Sequence, residues 1–297
     1  MTPPLITLEE HWYSKSVFDS FENDMKTGIT KWPGALDRLF DASDLRLKEM
    51  DRGKIALQVI SHCAADRPSP EVCQAGNDQL ADEMSKSEET RSRFAGFAVL
   101  PMAHPEAAAE ELERTVNKHG FVGALVDNKA GDKFYDGDNY DVLWQKLQDL
   151  DVPIYLHPSW PTAELLRTSL KIILGHFGEM IPFMLQRVID QESIMGRRNR
   201  PFEQVWNENI WITTSAAYSL DPMRCILANT KIERIMYSVD YPFTTNEQGL
   251  KFFQDLEKSG LVTEEHLELI AFKNAEKLLG VKASPSKQAN GGLNRHV

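Results

Sequence analysis

Leu5-Ile6-Thr7-Leu8-Glu9-Glu10-His11-Trp12 is a short apolar run that ends in two carboxylates and an imidazole. Read as a β-strand, it sends alternate side chains to opposite faces. Glu9 and His11 then share one face, and Glu10 points to the other. A buried strand that delivers Glu-x-His at its C-terminal end is how an α/β barrel begins a metal site. Alone, the pattern also suits a solvated surface strand. The rest of the chain decides, according to whether it brings further ligands to meet this one.

Working outward, apolar runs alternate with helical stretches along the chain. A second strand reads over 55–61 and ends at His62, a third over 94–100, and a fourth over 121–126. A fifth covers 152–157 and ends in His157, and a sixth covers 170–176 and ends in His176. The seventh is 210–215, and the eighth, 234–240, ends in Asp240. Helices read over 41–52, 71–90, 105–119, 138–150, 179–195, 221–229, 246–258 and 263–279; in 138–150, Leu143, Leu147 and Leu150 share one face. Eight β-α units predict a (β/α)8 barrel, one domain over residues 1–282, with 283–297 as a disordered tail. The runner-up, a doubly wound sheet, needs fewer strands and gives no reason for polar groups at so many strand ends.

Composition bounds the function. The 297 residues are 42% hydrophobic and 26% charged, which suits a globular protein with a large core. A net charge of -11 and a pI near 5.3 favour neither nucleic acid nor an anionic membrane surface. No apolar run reaches the length of a membrane span. The N-terminus shows no signal-peptide pattern, and Cys63, Cys73 and Cys225 form no CxxC pair, so a cytoplasmic protein with reduced thiols is expected.

In a barrel the C-terminal strand ends converge on the face where active sites are built. Glu9, His11, His157, His176 and Asp240 would meet there. Imidazoles and carboxylates in this number suit one divalent first-row metal with a coordination position open for substrate. Trp12, Phe21 and Phe243 are candidates to clamp a ring, though core packing is an equal reading for each. His62 is a candidate substrate contact, or else a loop histidine with a backbone partner.

The chain resembles the amidohydrolase-related decarboxylases, the family of aminocarboxymuconate semialdehyde decarboxylase and the ortho-hydroxybenzoate decarboxylases. The resemblance is carried by Leu-Glu-Glu-His at 8–11, Phe-Ala-Gly-Phe-Ala-Val-Leu-Pro-Met at 94–102, Gly-Phe-Val-Gly-Ala-Leu-Val at 120–126 and Tyr-Leu-His-Pro at 155–158. Ile-Leu-Gly-His-Phe-Gly-Glu at 173–179, Trp-Ile-Thr-Thr-Ser at 211–215 and Ser-Val-Asp-Tyr-Pro-Phe at 238–243 extend it over roughly residues 5–281. The Glu-x-His opening is similar to that of 2,3-dihydroxybenzoate, γ-resorcylate and salicylate decarboxylases, the fungal 2,3-dihydroxybenzoate type above all.

The resemblance implies that Glu9, His11, His157 and Asp240 hold the metal. Zn2+ is the first choice, with Mn2+ or Mg2+ as alternatives. His176 and Glu179 match a catalytic pair, and Arg187 matches an arginine that supports it. The implied reaction is reversible, nonoxidative decarboxylation of an ortho-hydroxylated aromatic acid, with Asp240 as proton donor. Two other readings stay open: a hydrolase of the wider superfamily, and a truncated, catalytically impaired barrel.

The last of these has a specific basis. Only residues 158–169 join the fifth and sixth strands, where relatives carry a full helix and its loops. Pro158 and Pro161 leave at most Thr162–Ser169 helical, about 12 Å of rise. Four extended residues add about 13 Å, against a return of about 20 Å. The chain crosses back but cannot cover the outside of both strands. Outward apolar positions there, such as Ile154 and Ile173, should be exposed unless a second chain buries them, so either a homodimer or homotetramer or a protein of low thermal stability is expected.

Overall fold

The computed structural model describes residues 3–21, 26, 29, 34–62, 68–127, 129–130, 133–135, 137–157, 170–195 and 200–283, with backbone only at 129–130, 133–134 and 191–195. The connection 158–169, Cys63 and residues 284–297 of the expected tail lie outside the described residues. No helix of the described residues is long and apolar enough to cross a membrane.

Eight parallel strands form the barrel: β1 Leu5–Trp12, β2 Ile55–His62, β3 Phe94–Gly96, β4 Ala124–Asp127, β5 Ile154–His157, β6 Ile172–Leu174, β7 Ile210–Thr213 and β8 Ile235–Met236. Continuous ladders join β1 to β3 and β4 to β8. Single bridges, Ala98 to Ala124 and Glu10 to Tyr241, close the two remaining seams. A short antiparallel pair, Lys129–Ala130 with Lys133–Phe134, follows β4.

At the mouth, side chains take over the ladder beyond two of the strands. Beyond β3, Asn77 donates to the Val99 carbonyl (2.9 Å) and accepts the Val99 N–H (3.0 Å). Beyond β8, Thr214 Oγ1 accepts the Ser238 N–H at 3.1 Å. Helix Phe202–Asn209, read as connection from the sequence, seats Phe202, Val205 and Trp206 in the core.

Alternation divides the strands into two buried sets. Ile6, Leu8, Leu57, Val59, Phe97, Leu125, Tyr155, Ile173 and Met236 form the barrel interior. Leu5, Ile60, Val126, Ile154, Leu156, Ile172, Leu174 and Ile212 pack outward against the helices. Two expectations are corrected here. Ile173 faces inward, because the outward positions of β6 are Ile172 and Leu174. The flank of β5 and β6 is not bare: Ile154 is 0% exposed and Ile172 2% exposed. They share a cluster with Leu143, Trp144 and Leu147 of helix Asp141–Asp149 and with Leu185 of helix Ile181–Met195.

β1 carries one irregularity that matters for the site. Thr7 pairs with Gln58 and Glu10 with Ile60, so Leu8 and Glu9 together oppose Val59. This is a β-bulge. Strict alternation from Ile6 and Leu8 would continue inward at Glu10. The extra residue resets the phase, and Glu9 and His11 turn into the barrel instead.

Candidate metal centre

The strand ends converge as the sequence predicts. Glu9, His11 and His157 form one group of ligand atoms within 4.8 Å of one another, and Glu9, His176 and Asp240 form a second. Glu9, fully buried, is common to both. Its Oε1 lies 2.7 Å from His176 Nε2 and 3.4 Å from His157 Nε2. Its Oε2 accepts hydrogen bonds from the Tyr155 and Ser215 hydroxyls. Across the cluster, His11 Nε2 stands 3.1 Å from Asp240 Oδ1.

The backbone around these groups is strained. His176, Phe177, Glu179, Ala216 and Asp240 all adopt positive φ without being glycine. Such conformations persist where the surrounding structure imposes them, and they gather at functional sites. The turn at 176–179 brings Glu179 Oε1 to 3.6 Å from His176 Nδ1. The loop is held by the Ser215 hydroxyl, which accepts the His176 N–H at 2.9 Å.

The charges divide unequally. Burial works against ionisation of Glu9, but the hydrogen bond and charge of His176, with the charges of His157 and His11, hold its carboxyl below the usual range. Asp240 moves the other way, raised by burial and by the Glu9 charge. Burial lowers His11 to about 4 and lowers His157 as well. Burial also opposes charge on His176, but the hydrogen bond and charge of Glu9 lift it to about 9. Without an ion, Glu9 and His176 thus favour their charged forms as a pair, while burial pushes His11, His157 and Asp240 toward their neutral forms.

These residues fit a divalent cation. Both ring nitrogens of His11 and Oδ1 of Asp240 are buried without a hydrogen-bond partner. Orphaned polar atoms of this kind are rare in a finished interior. Neutral imidazoles and carboxylate oxygens are the ligand types such an ion takes.

Of the remaining candidates, Phe243 borders the cluster, its ring centroid 5.5 Å from that of His11. Trp12 and His62 do not join it. Each lies one residue beyond an inward position, and they pack edge to face at 5.2 Å, with His62 Nε2 3.0 Å from the Ser14 hydroxyl. Burial takes His62 down to about 3, leaving it neutral. Phe21 packs against Tyr13 and Phe18 in a separate cluster. Arg187 is exposed on helix Ile181–Met195. Tyr155 and Ser215 were missed from the sequence. Tyr155 is two residues before His157 and Ser215 two after the inward Thr213, so the two-residue period that paired Glu9 with His11 would have found both.

The comparisons with known proteins agree with this fold. Residues 55–281 match the amidohydrolase family (Amidohydro_2). The decarboxylase orsB of Emericella nidulans is 48% identical over 326 aligned positions, which cover 95% of this chain and 98% of that protein. A γ-resorcylate decarboxylase of Polaromonas sp. is 30% identical, with 92% and 97% covered. A solved dihydroxybenzoic acid decarboxylase from Polaromonas sp., with bound manganese and the inhibitor 2-nitroresorcinol, superposes with a TM-score of 0.78 at 29% identity over 94% of this chain and 97% of that one. By sequence match and fold together, the chain belongs to the amidohydrolase family.

Proposed function

We propose that the chain is a metal-dependent, nonoxidative decarboxylase of an ortho-hydroxylated aromatic carboxylic acid, of the 2,3-dihydroxybenzoate type. The observation that carries this reading is the meeting, at one mouth, of Asp240 with the His176–Glu179 pair around a mixed imidazole–carboxylate cluster. Glu9, His11, His157 and Asp240 would hold the ion. The bound ion supplies Lewis-acid polarisation of the substrate's carboxylate and ortho oxygen. Zn2+ is our first choice and Mn2+ our second.

Asp240 gives its proton to the ring carbon that bears the carboxylate, forming the new C–H bond. The bond from that carbon to the carboxylate then breaks, its electron pair returns to the ring, and CO2 leaves. Asp240 regains a proton from solvent. His176, hydrogen-bonded to Glu9 and beside Glu179, binds the ortho oxygen. Phe243 walls the ring. Run backwards at high bicarbonate, the same steps carboxylate a phenol. We place the enzyme in the cytoplasm, which cell fractionation tests.

The test is to incubate purified protein with a panel of hydroxybenzoates, measure CO2, and determine metal content on the same sample. Release of CO2 from ortho-hydroxylated acids, with about one ion per chain, is expected. Turnover of lactones or amides without CO2 would establish a hydrolase. A metal-replete protein inert to both would establish an impaired barrel.

A further inference from the structure

At the seam between β1 and β8, two buried side chains stand in for most of a strand ladder. The backbones meet there at a single bridge, Glu10 to Tyr241, where the His11 N–H donates to the Tyr241 carbonyl at 2.7 Å. Ser238 Oγ accepts the N–H groups of both Leu8 (3.0 Å) and Glu9 (2.8 Å). In return, Glu10 accepts the N–H of Val239 at 3.2 Å and of Tyr241 at 3.3 Å. The two side chains also meet, Ser238 Oγ donating to Glu10 Oε1 at 3.4 Å. Gln58 Nε2 donates to Glu10 at 3.4 Å.

Two consecutive amides aimed at one acceptor are the mark of a bulge, since a regular strand points them to opposite sides. Ser238 therefore sits on the feature that turns Glu9 and His11 inward. Glu10 holds the amides on either side of Asp240. We propose that Glu10 and Ser238 form a reciprocal clamp that positions the metal ligands of both strands. Neither is a ligand. The inference rests on the metal reading above. A seam made only for stability has no use for a fully buried carboxyl, which is costly to desolvate. An apolar pair with an unbulged ladder would seal the barrel, but it would leave Glu9 and His11 facing out.

The experiment compares wild type with Ser238→Ala, Glu10→Gln and, as a stability control remote from the site, Asn77→Ala. Mn2+ affinity is measured by chelator competition, and the visible spectrum of the Co2+-loaded protein reports ligand geometry. Ser238→Ala should weaken Mn2+ binding by about 10–100-fold, the range typical of residues that orient metal ligands, and should alter the Co2+ spectrum. Glu10→Gln keeps the shape and one acceptor oxygen, so its loss should be smaller. Asn77→Ala should melt earlier yet bind Mn2+ as wild type does. If Ser238→Ala does not fold, Glu10→Gln decides by the same two readouts. Variants that keep wild-type affinity and spectrum, or lose no more affinity than Asn77→Ala, overturn the clamp. A wild-type protein that takes up no Mn2+ overturns the metal reading and the clamp with it.

Discussion

Asp240 is where binding and proton transfer meet in one side chain. Asp240→Asn should keep the shape but lose the acid, lowering turnover by roughly 10²–10⁴-fold, as steady-state kinetics will show. His176→Ala should fall by a similar factor while keeping the ion, because we place His176 outside the ligand set. Its Nε2 nevertheless lies 2.7 Å from Glu9. Metal content of His176→Ala therefore decides the assignment: loss of the ion would make His176 a ligand. His157→Ala should lose metal and activity together. At this scale much of the site is legible in the sequence, because a two-residue period and the convergence of barrel strand ends are enough to gather Glu9, His11, His157, His176 and Asp240. The bulge is not legible. It depends on Ser238, 229 residues from Glu9 along the chain, and no local pattern announces it. The misplacement of Trp12 and His62 has a simpler cause: both follow inward residues, His11 and Ser61, and the same period sends them out.

Among the elements, the turn after β6 leaves its glycine little room. A Cβ on Gly175 would meet Glu9 Oε2 at 2.7 Å and the Tyr155 hydroxyl at 2.9 Å. Gly175→Ala should displace the Glu9 carboxylate, so we expect weaker metal binding in chelator titrations with little change in melting temperature. Asn77→Ala shows the converse. It strips the Val99 N–H and carbonyl of their partner and should cost about 1–3 kcal/mol in denaturant unfolding, with turnover unchanged. The same residue marks where the third strand's pairing ends: Phe97 and Ala98 still bond to neighbouring backbone, and at Val99 the bonds pass to a side chain from helix Pro70–Ser85. Helix Phe202–Asn209 was legible but overlooked, since Phe202, Val205 and Trp206 already show helical spacing behind Pro201.

For the molecule as a whole, the alignment with orsB spans 326 positions against 297 residues here. At least 29 positions of that relative therefore have no counterpart in this chain. Since the flank of β5 and β6 is buried within one chain, the barrel itself should melt in the ordinary range of roughly 45–65 °C. Phe183, 74% exposed, and Met180, 48% exposed, are apolar surface beside the mouth. We still expect light scattering to give two or four times the 33.7 kDa of one chain; a monomer would refute the expected assembly. The side-chain seam between β1 and β8 has a consequence for how the closed ring breathes. A ring with six continuous ladders, one bridged seam between β3 and β4, and one seam improvised from a serine and a glutamate has a preferred place to part. In deuterium exchange of the metal-free protein, the amides of Leu8, Glu9, Val239 and Tyr241 should open before those inside β2 or β5. With Glu9 and His11 on one lip and Asp240 on the other, an ion acts as a staple, and those four amides should slow most when it binds.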